Sequence, residues 1–137
     1  EFEAVMGICN LRHIDEEISR RKTAGERYWE RLEGRKGIVL PKPNKDTVWN
    51  YAYFPVLFDG YKLDRNQVQE KLAKGNIFAR KYFFPLTNEA ACYLKEYGKA
   101  NVSIAKQVAD TVLTLPMYAD LTISEVDRIC DVILEEI

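Results

Sequence analysis

The sequence is poor in the residues that most often carry catalysis or bind metals. Of its 137 residues one is histidine, His13, and three are cysteine, Cys9, Cys92 and Cys130. The cysteines are far apart and form no CxxC or Cys/His cluster, so neither a zinc site nor a disulfide framework is indicated. Cys9 and Cys130 fall on helix faces and read as buried free thiols, which fits a reducing, cytoplasmic setting. No apolar run approaches the ~20 residues of a membrane helix, and no signal peptide is read. Charge of one sign is also missing. Twenty basic and 21 acidic residues leave a net charge of −1. That excludes a general attraction to phosphate backbones or anionic membranes, so neither is expected as a partner. No GxSxG, P-loop, GxGxxG or HExxH motif occurs. His13 stands alone on a helix and reads as a surface or packing residue. Carboxylates are scattered, and no lysine sits in an obviously apolar context. Read from its residues, the chain contains no complete active site and no metal site.

What is present fits one α+β domain spanning residues 1–137. Hydrophobic residues make up 47% and charged residues 30%, ordinary for a globular protein. Residues 1–33 read as one long helix. Val5, Ile8, Leu11, Ile18, Gly25, Tyr28 and Leu32 recur at helical spacing, opposite a charged face with Arg20, Arg21, Lys22, Arg27 and Arg31. No capping residue precedes Phe2, and no initiator Met is present, so further chain is expected upstream. An α+β unit is expected over 38–137. Ile38–Leu40 is a short strand candidate. Trp49 to Phe58 is the clearest strand, with Ala52, Phe54, Val56 and Phe58 on one face and Trp49, Tyr51 and Tyr53 on the other. Pro55 lacks a ladder donor and marks a bulge or an edge. Asp64 and Gln67 open a helix running to about Lys74, with Gly75 as its stop. Val102, Ala105, Val108, Ala109 and Val112 mark another helix, and Leu113–Pro116 an extended segment. Thr122 and Glu125 form a capping box before a final helix with Val126, Ile129, Cys130, Ile133, Leu134 and Ile137 on its apolar stripe.

The stretch from Asn76 to Leu86 reads as a strand with an unusual second face. Ile77 and Ala79 face one side, and Phe78, Arg80, Tyr82 and Phe84 the other. The result is a small, mainly antiparallel sheet with helices packed on one face. Its aromatic face, Trp49/Tyr51/Tyr53 beside Phe78/Arg80/Tyr82/Phe84, has no partner in this chain and marks an interface. Arg80 beside Tyr82 suits a phosphate or carboxylate through a bidentate contact plus a phenol hydrogen bond. An arginine stacked on aromatic neighbours at a domain interface is the competing reading, and both stay open. Leu115-Pro116-Met117-Tyr118 reads as a packed connecting loop.

Three segments in order resemble one family. Glu1-Phe2-Glu3-Ala4-Val5-Met6-Gly7 with Leu11, Asp15 and Arg20-Arg21 looks like the helix that follows the active-site half of the DegT/DnrJ-type sugar aminotransferases. Ala79-Arg80-Lys81-Tyr82-Phe83-Phe84-Pro85-Leu86 looks like its Arg-x-Tyr/Phe-Tyr/Phe-x-Pro-Leu segment. Val112 to Leu121, Val-Leu-Thr-Leu-Pro-Met-Tyr-Ala-Asp-Leu, looks like its Val-Leu-Ser-Leu-Pro-Leu-Tyr-Pro-x-Leu segment. Thr87 stands where the family usually carries His. The resemblance implies the C-terminal small domain of a fold-type I, pyridoxal-phosphate-dependent transferase. The parent would move an amino group, usually from glutamate, to a nucleotide-linked keto sugar, for amino-sugar, polysaccharide or antibiotic biosynthesis. It would be a homodimer. Its Schiff-base lysine and cofactor site would lie upstream in a large domain, leaving this chain inactive by itself and without a cofactor. Arg80, Tyr82 and Phe84 are carried over as substrate-binding residues lining the cleft.

Two other classes compete. A free-standing ligand-binding or regulatory domain would account for the βαβ-like order after Trp49. A single-stranded RNA binder would stack bases on Tyr51, Tyr53, Phe78 and Tyr82, but the balanced charge is against it.

Overall fold

The structure is a computed structural model, and it describes residues 1–135. Six helices and three strands follow in the order α1 (Phe2–Leu11), α2 (Ile14–Leu32), β1 (Ile38–Val39), β2 (Phe54–Phe58), α3 (Arg65–Lys74), α4 (Leu94–Tyr97), α5 (Ser103–Thr111), β3 (Val112–Leu115) and α6 (Ile123–Leu134), all within the described residues. The strands form one antiparallel sheet in the order β1-β2-β3. Phe54 lies opposite Leu115 and Val56 opposite Leu113. All four are buried against Tyr28 and Leu32 of α2, Leu72 of α3, and Val126, Ile129, Cys130 and Ile133 of α6. The α+β class is therefore as expected, with the helices on one face of the sheet. Burying a side chain such as Phe54 contributes about 2–3 kcal/mol. No helix among the described residues is long and apolar enough to cross a membrane.

Both expected capping boxes form. The Asp64 carboxylate accepts from the Asn66 and Gln67 amides, and the Thr122 hydroxyl accepts from the Glu125 amide. Each box spends the first free N–H groups of its helix on the chain's own side chain. The end of α3 differs from expectation. Gly75 is not left-handed; Asn76 is, at φ 56°. Asn76 N–H donates to Ala73 O and Ile77 N–H to Leu72 O, both at 2.9 Å. This is a Schellman ending with asparagine in the left-handed position, and it drives Ile77 into the core.

The first helix is corrected. Residues 1–33 are two helices broken at Arg12–His13, where the amides of Arg12 and His13 bond three residues back, to Cys9 and Asn10. The apolar stripe runs through the break, yet Val5, Ile8 and Leu11 are more than half exposed. Helical spacing identifies an apolar face but not where the core stops. Cys9 is likewise exposed, whereas Cys130 is buried. Of the apolar residues that mark α5, Ala105 and Val108 are exposed, and only Ala109 is buried on that helix. Ile137, placed on the final stripe, lies outside the described residues.

Two long strand expectations shorten. Residues 49–53 are not strand, because Tyr51 takes φ 52° and swings its ring onto α2. Trp29 meets Trp49 edge-on at 5.2 Å and Tyr51 at 6.4 Å. Gly25 permits this approach, since a Cβ there would stand 3.0 Å from the Tyr51 ring. Ala52, assigned to the core face, is exposed. Residues 76–86 hold one bridge, Arg80 to Thr114, and turn back after it.

A charge network fastens α2 to α6. Asp127 accepts from Arg27 Nε at 2.7 Å, Arg27 Nη2 at 3.0 Å and Arg31 Nη1 at 3.0 Å. The Arg27 hydrogen bond, then that of Arg31, holds the Asp127 carboxyl below the usual aspartate range. A lowered folded-state value adds stability above the unfolded-state value and loses it as pH falls. Asp127→Asn is expected to lower Tm by about 3 °C at pH 7. That deficit should begin to shrink as pH falls below the ordinary aspartate range and close once pH drops through the lowered folded-state value, where the wild-type carboxylate is protonated; a deficit that stays constant from pH 7 down to the acid limit of the fold would rule out this origin. Burial pushes the Cys130 thiol up to about 12. A thiol-alkylating reagent at pH 8 should label Cys9 and Cys92 in the native protein and Cys130 only after unfolding; native labelling of Cys130 by intact mass would count against the packing described.

Candidate functional site

The cleft lies on the sheet face turned away from α2 and α6. Its position follows from the pairing of β3. Arg80 N–H donates to Thr114 O at 3.0 Å, and Thr114 N–H donates to Arg80 O at 2.8 Å. Thr114 thus points its backbone groups at Arg80 and away from β2, where it faces Pro55. A proline is tolerated there because no ladder bond to β3 is asked of its nitrogen. Paired residues share a face, so Thr114, Arg80 and Pro55 present their side chains opposite the core. Ile77 and Ala79 alternate inward and are buried, while Phe78 and Arg80 are exposed.

Phe78, Arg80 and Thr114 line a cleft of about 400 Å³ with Ala52, Tyr53, Tyr82 and the run Leu115-Pro116-Met117-Tyr118. Arg80 Nη1 donates to Tyr82 Oη at 2.6 Å. That bond is the main cause of a raised Arg80 pKa, so the guanidinium stays charged. With its oxygen accepting from Arg80, the Tyr82 O–H is left to donate outward. Tyr53 meets the Tyr82 ring edge-on at 5.6 Å and limits its swing. Burial, then the nearby carboxylates of Glu125 and Asp120, pushes the Tyr118 phenol up, so it too stays a donor. The cleft therefore offers a fixed cation and phenol donors between apolar walls. Such a set suits an anion attached to a larger, partly apolar body.

Of the three residues expected to line the cleft, Arg80 and Tyr82 do so and lie together. Phe84 does not line it. Its ring lies 4.8 Å from Cζ of Arg65, with Lys81 and Lys106 also near. The turn after Arg80 ends the alternation that put Phe84 on the same face. Trp49 and Tyr51 are also absent, being packed on α2. The wall from Leu115 to Tyr118 went unread as a site because each residue also suits a packed loop. Met117 does both, packing on the core and lining the cleft. Tyr28 supports this wall from below, its buried O–H donating to Pro116 O at 3.0 Å. His13 sits outside, at the head of α2.

The model of the DegT/DnrJ/EryC1/StrS aminotransferase family matches residues 1–134. The chain belongs to that family. A dTDP-4-amino-4,6-dideoxy-D-glucose transaminase of Escherichia coli is 41% identical over 137 residues, covering 98% of this chain and 37% of that protein. The enzyme of the same description from Shigella dysenteriae is 32% identical over 136 residues, with the same coverage. Among solved structures, DesI in the presence of its TDP-sugar product superposes with a TM-score of 0.86 at 25% identity, over 94% of this chain and 33% of that one. DesV of S. venezuelae in complex with a ketimine intermediate gives 0.86 and 25%, over 97% and 35%. The chain thus spans just over a third of the curated relatives it matches.

Pyridoxal 5′-phosphate is the family's cofactor. The cleft residues do not build a site for it. No lysine lines the cleft to form an imine. The amide ends of α3 and α6 are taken by their own Asp64 and Thr122–Glu125 caps, so neither is free for a phosphate. Among the described residues no cluster of His, Cys, Asp and Glu could hold a metal ion.

Tyr28→Phe would leave Pro116 O without its buried donor. An expected loss of about 1 kcal/mol, read by urea unfolding, tests that support; an unchanged midpoint would show the bond contributes nothing.

Proposed function

We propose that the chain is the C-terminal domain of a transaminase that carries an amino group, usually from glutamate, to a nucleotide-linked keto sugar. A dTDP-linked 4-keto-6-deoxy hexose is the acceptor favoured by the 41% identical relative. The observation that carries the reading is the Arg80–Tyr82 pair, a donor-only site set on the sheet face that this chain leaves open. The guanidinium holds an anionic oxygen of the sugar nucleotide, and the Tyr82 O–H adds a second donor at a fixed angle. Phe78, Pro116 and Met117 supply apolar contact beside it. In this reading their work is binding and orientation. A large domain upstream supplies the lysine and the cofactor cradle, closes over the cleft and pairs with a second copy. Without that domain this chain binds but does not catalyse.

Binding of this kind is uniform between ground and transition states, so its loss falls on KM. In the enzyme that carries this chain, Arg80→Ala is expected to raise KM for the sugar nucleotide about tenfold or more, with kcat nearly unchanged. Unchanged steady-state kinetics would sink the reading.

A further inference from the structure

Arg65 is 4% exposed, though it carries a full charge and opens a helix. Among the described residues no carboxylate lies within ion-pair distance of it. Nη1 donates to Ala109 O at 2.9 Å and to Val112 O at 3.4 Å, at the junction of α5 and β3. Its Nε is buried without a hydrogen-bond partner. The face of the guanidinium carries the Phe84 ring, 4.8 Å away. A buried, unpaired cation is a poor way to stabilise a fold, since an apolar side chain of similar volume usually does as well or better. What arginine adds is shape. A planar fork can reach two carbonyls at its edge and stack a ring on its face at once, which lysine cannot.

The consequence is a closed circuit through the cleft. Val112 and Thr114 belong to one strand. Thr114 holds the backbone of Arg80 through two hydrogen bonds, and Arg65, anchored on Val112, holds the ring of Phe84. The segment from Arg80 to Phe84 is therefore tied to β3 at both ends. Tyr82 sits at its middle, where its oxygen must meet Arg80 Nη1 at 2.6 Å.

We propose that Arg65 and Phe84 are positioning residues that set the Arg80–Tyr82 pair for the substrate's anionic group; this rests on the function proposed for the cleft. Arg65 fixes one end of the turn, and Phe84, which does not line the cleft, acts on substrate through that turn.

The test uses the whole enzyme with Arg65→Met, Phe84→Leu, Phe84→Tyr, Arg80→Ala and the Arg65→Met/Arg80→Ala double variant. The probe is a dTDP-linked amino sugar with 2-oxoglutarate as acceptor, alongside amide hydrogen exchange. Arg65→Met and Phe84→Leu are expected to raise KM for the sugar nucleotide about fivefold with kcat within about twofold, and Phe84→Tyr to keep the wild-type values. Exchange at the Arg80 and Thr114 amides should quicken about tenfold while the α6 amides keep their rates. Arg65→Met should add nothing to KM once Arg80 is gone. A raised KM in Arg80→Ala with wild-type KM in Arg65→Met and Phe84→Leu overturns the proposal alone. So does exchange that rises equally in α6, or an Arg65→Met effect that persists undiminished in the double variant. A wild-type KM in Arg80→Ala fails the cleft reading and this proposal with it.

Discussion

Two hydrogen bonds between the backbones of Arg80 and Thr114 join the cleft to the core. They are the reason a turn-rich segment with one bridge can hold a charged side chain in place. Because Thr114 turns its amide and carbonyl toward Arg80, it makes no such bonds to β2 at Pro55. The proline is thereby allowed in a strand that is otherwise central. The same pairing sets faces. Leu113 and Leu115 point to the helices, Thr114 and Arg80 to the open side, and the alternation carries Ile77 and Ala79 into the core beside Phe78 and Arg80 facing out.

What surrounds that pair is arranged to remove freedom from it. Below, α2 reaches the cleft wall through Tyr28 and Pro116, and is itself fastened to α6 by Asp127 between Arg27 and Arg31. Behind, the Schellman ending of α3 aims Ile77 inward, so the chain enters the cleft segment at a fixed angle. Beside it, Tyr53 braces Tyr82. The helices sit on one face and the donors on the other, with β3 the element they share. This is how a three-stranded sheet, small by the standard of most domains, holds its open face in place without a second layer over it.

The uncovered parts are consistent with one another. The sheet face that carries Tyr53 and Phe78 is open, and α1 exposes Phe2, Val5, Met6, Ile8 and Leu11, an apolar surface that water alone would not favour. A chain that spans just over a third of its curated relatives leaves room in them for what would cover such surfaces. Family membership and the open face thus point the same way, from independent observations.

Local chemistry was legible in the residues. Both capping boxes, the buried stripe of α6, the β3 segment and the Arg80–Tyr82 pairing depend on groups within a few positions of each other, and short-range sterics and hydrogen bonding decide such matters. The three ordered motifs also carried the family. Longer-range matters were not legible. Tyr51 leaves the strand because Gly25, 26 positions earlier, opens a place for its ring. Phe84 leaves the cleft because Arg65, from another element, offers it a flat cation. Val5 and Leu11 keep a helical stripe that meets no core, because periodicity records which residues are apolar and not what lies opposite. Sequence alone determined the capping boxes, the α6 stripe and the Arg80–Tyr82 donors; only the tertiary structure decided where the first helix breaks, where two strands stop and which rings meet those donors, since that depends on contacts between residues distant in the chain.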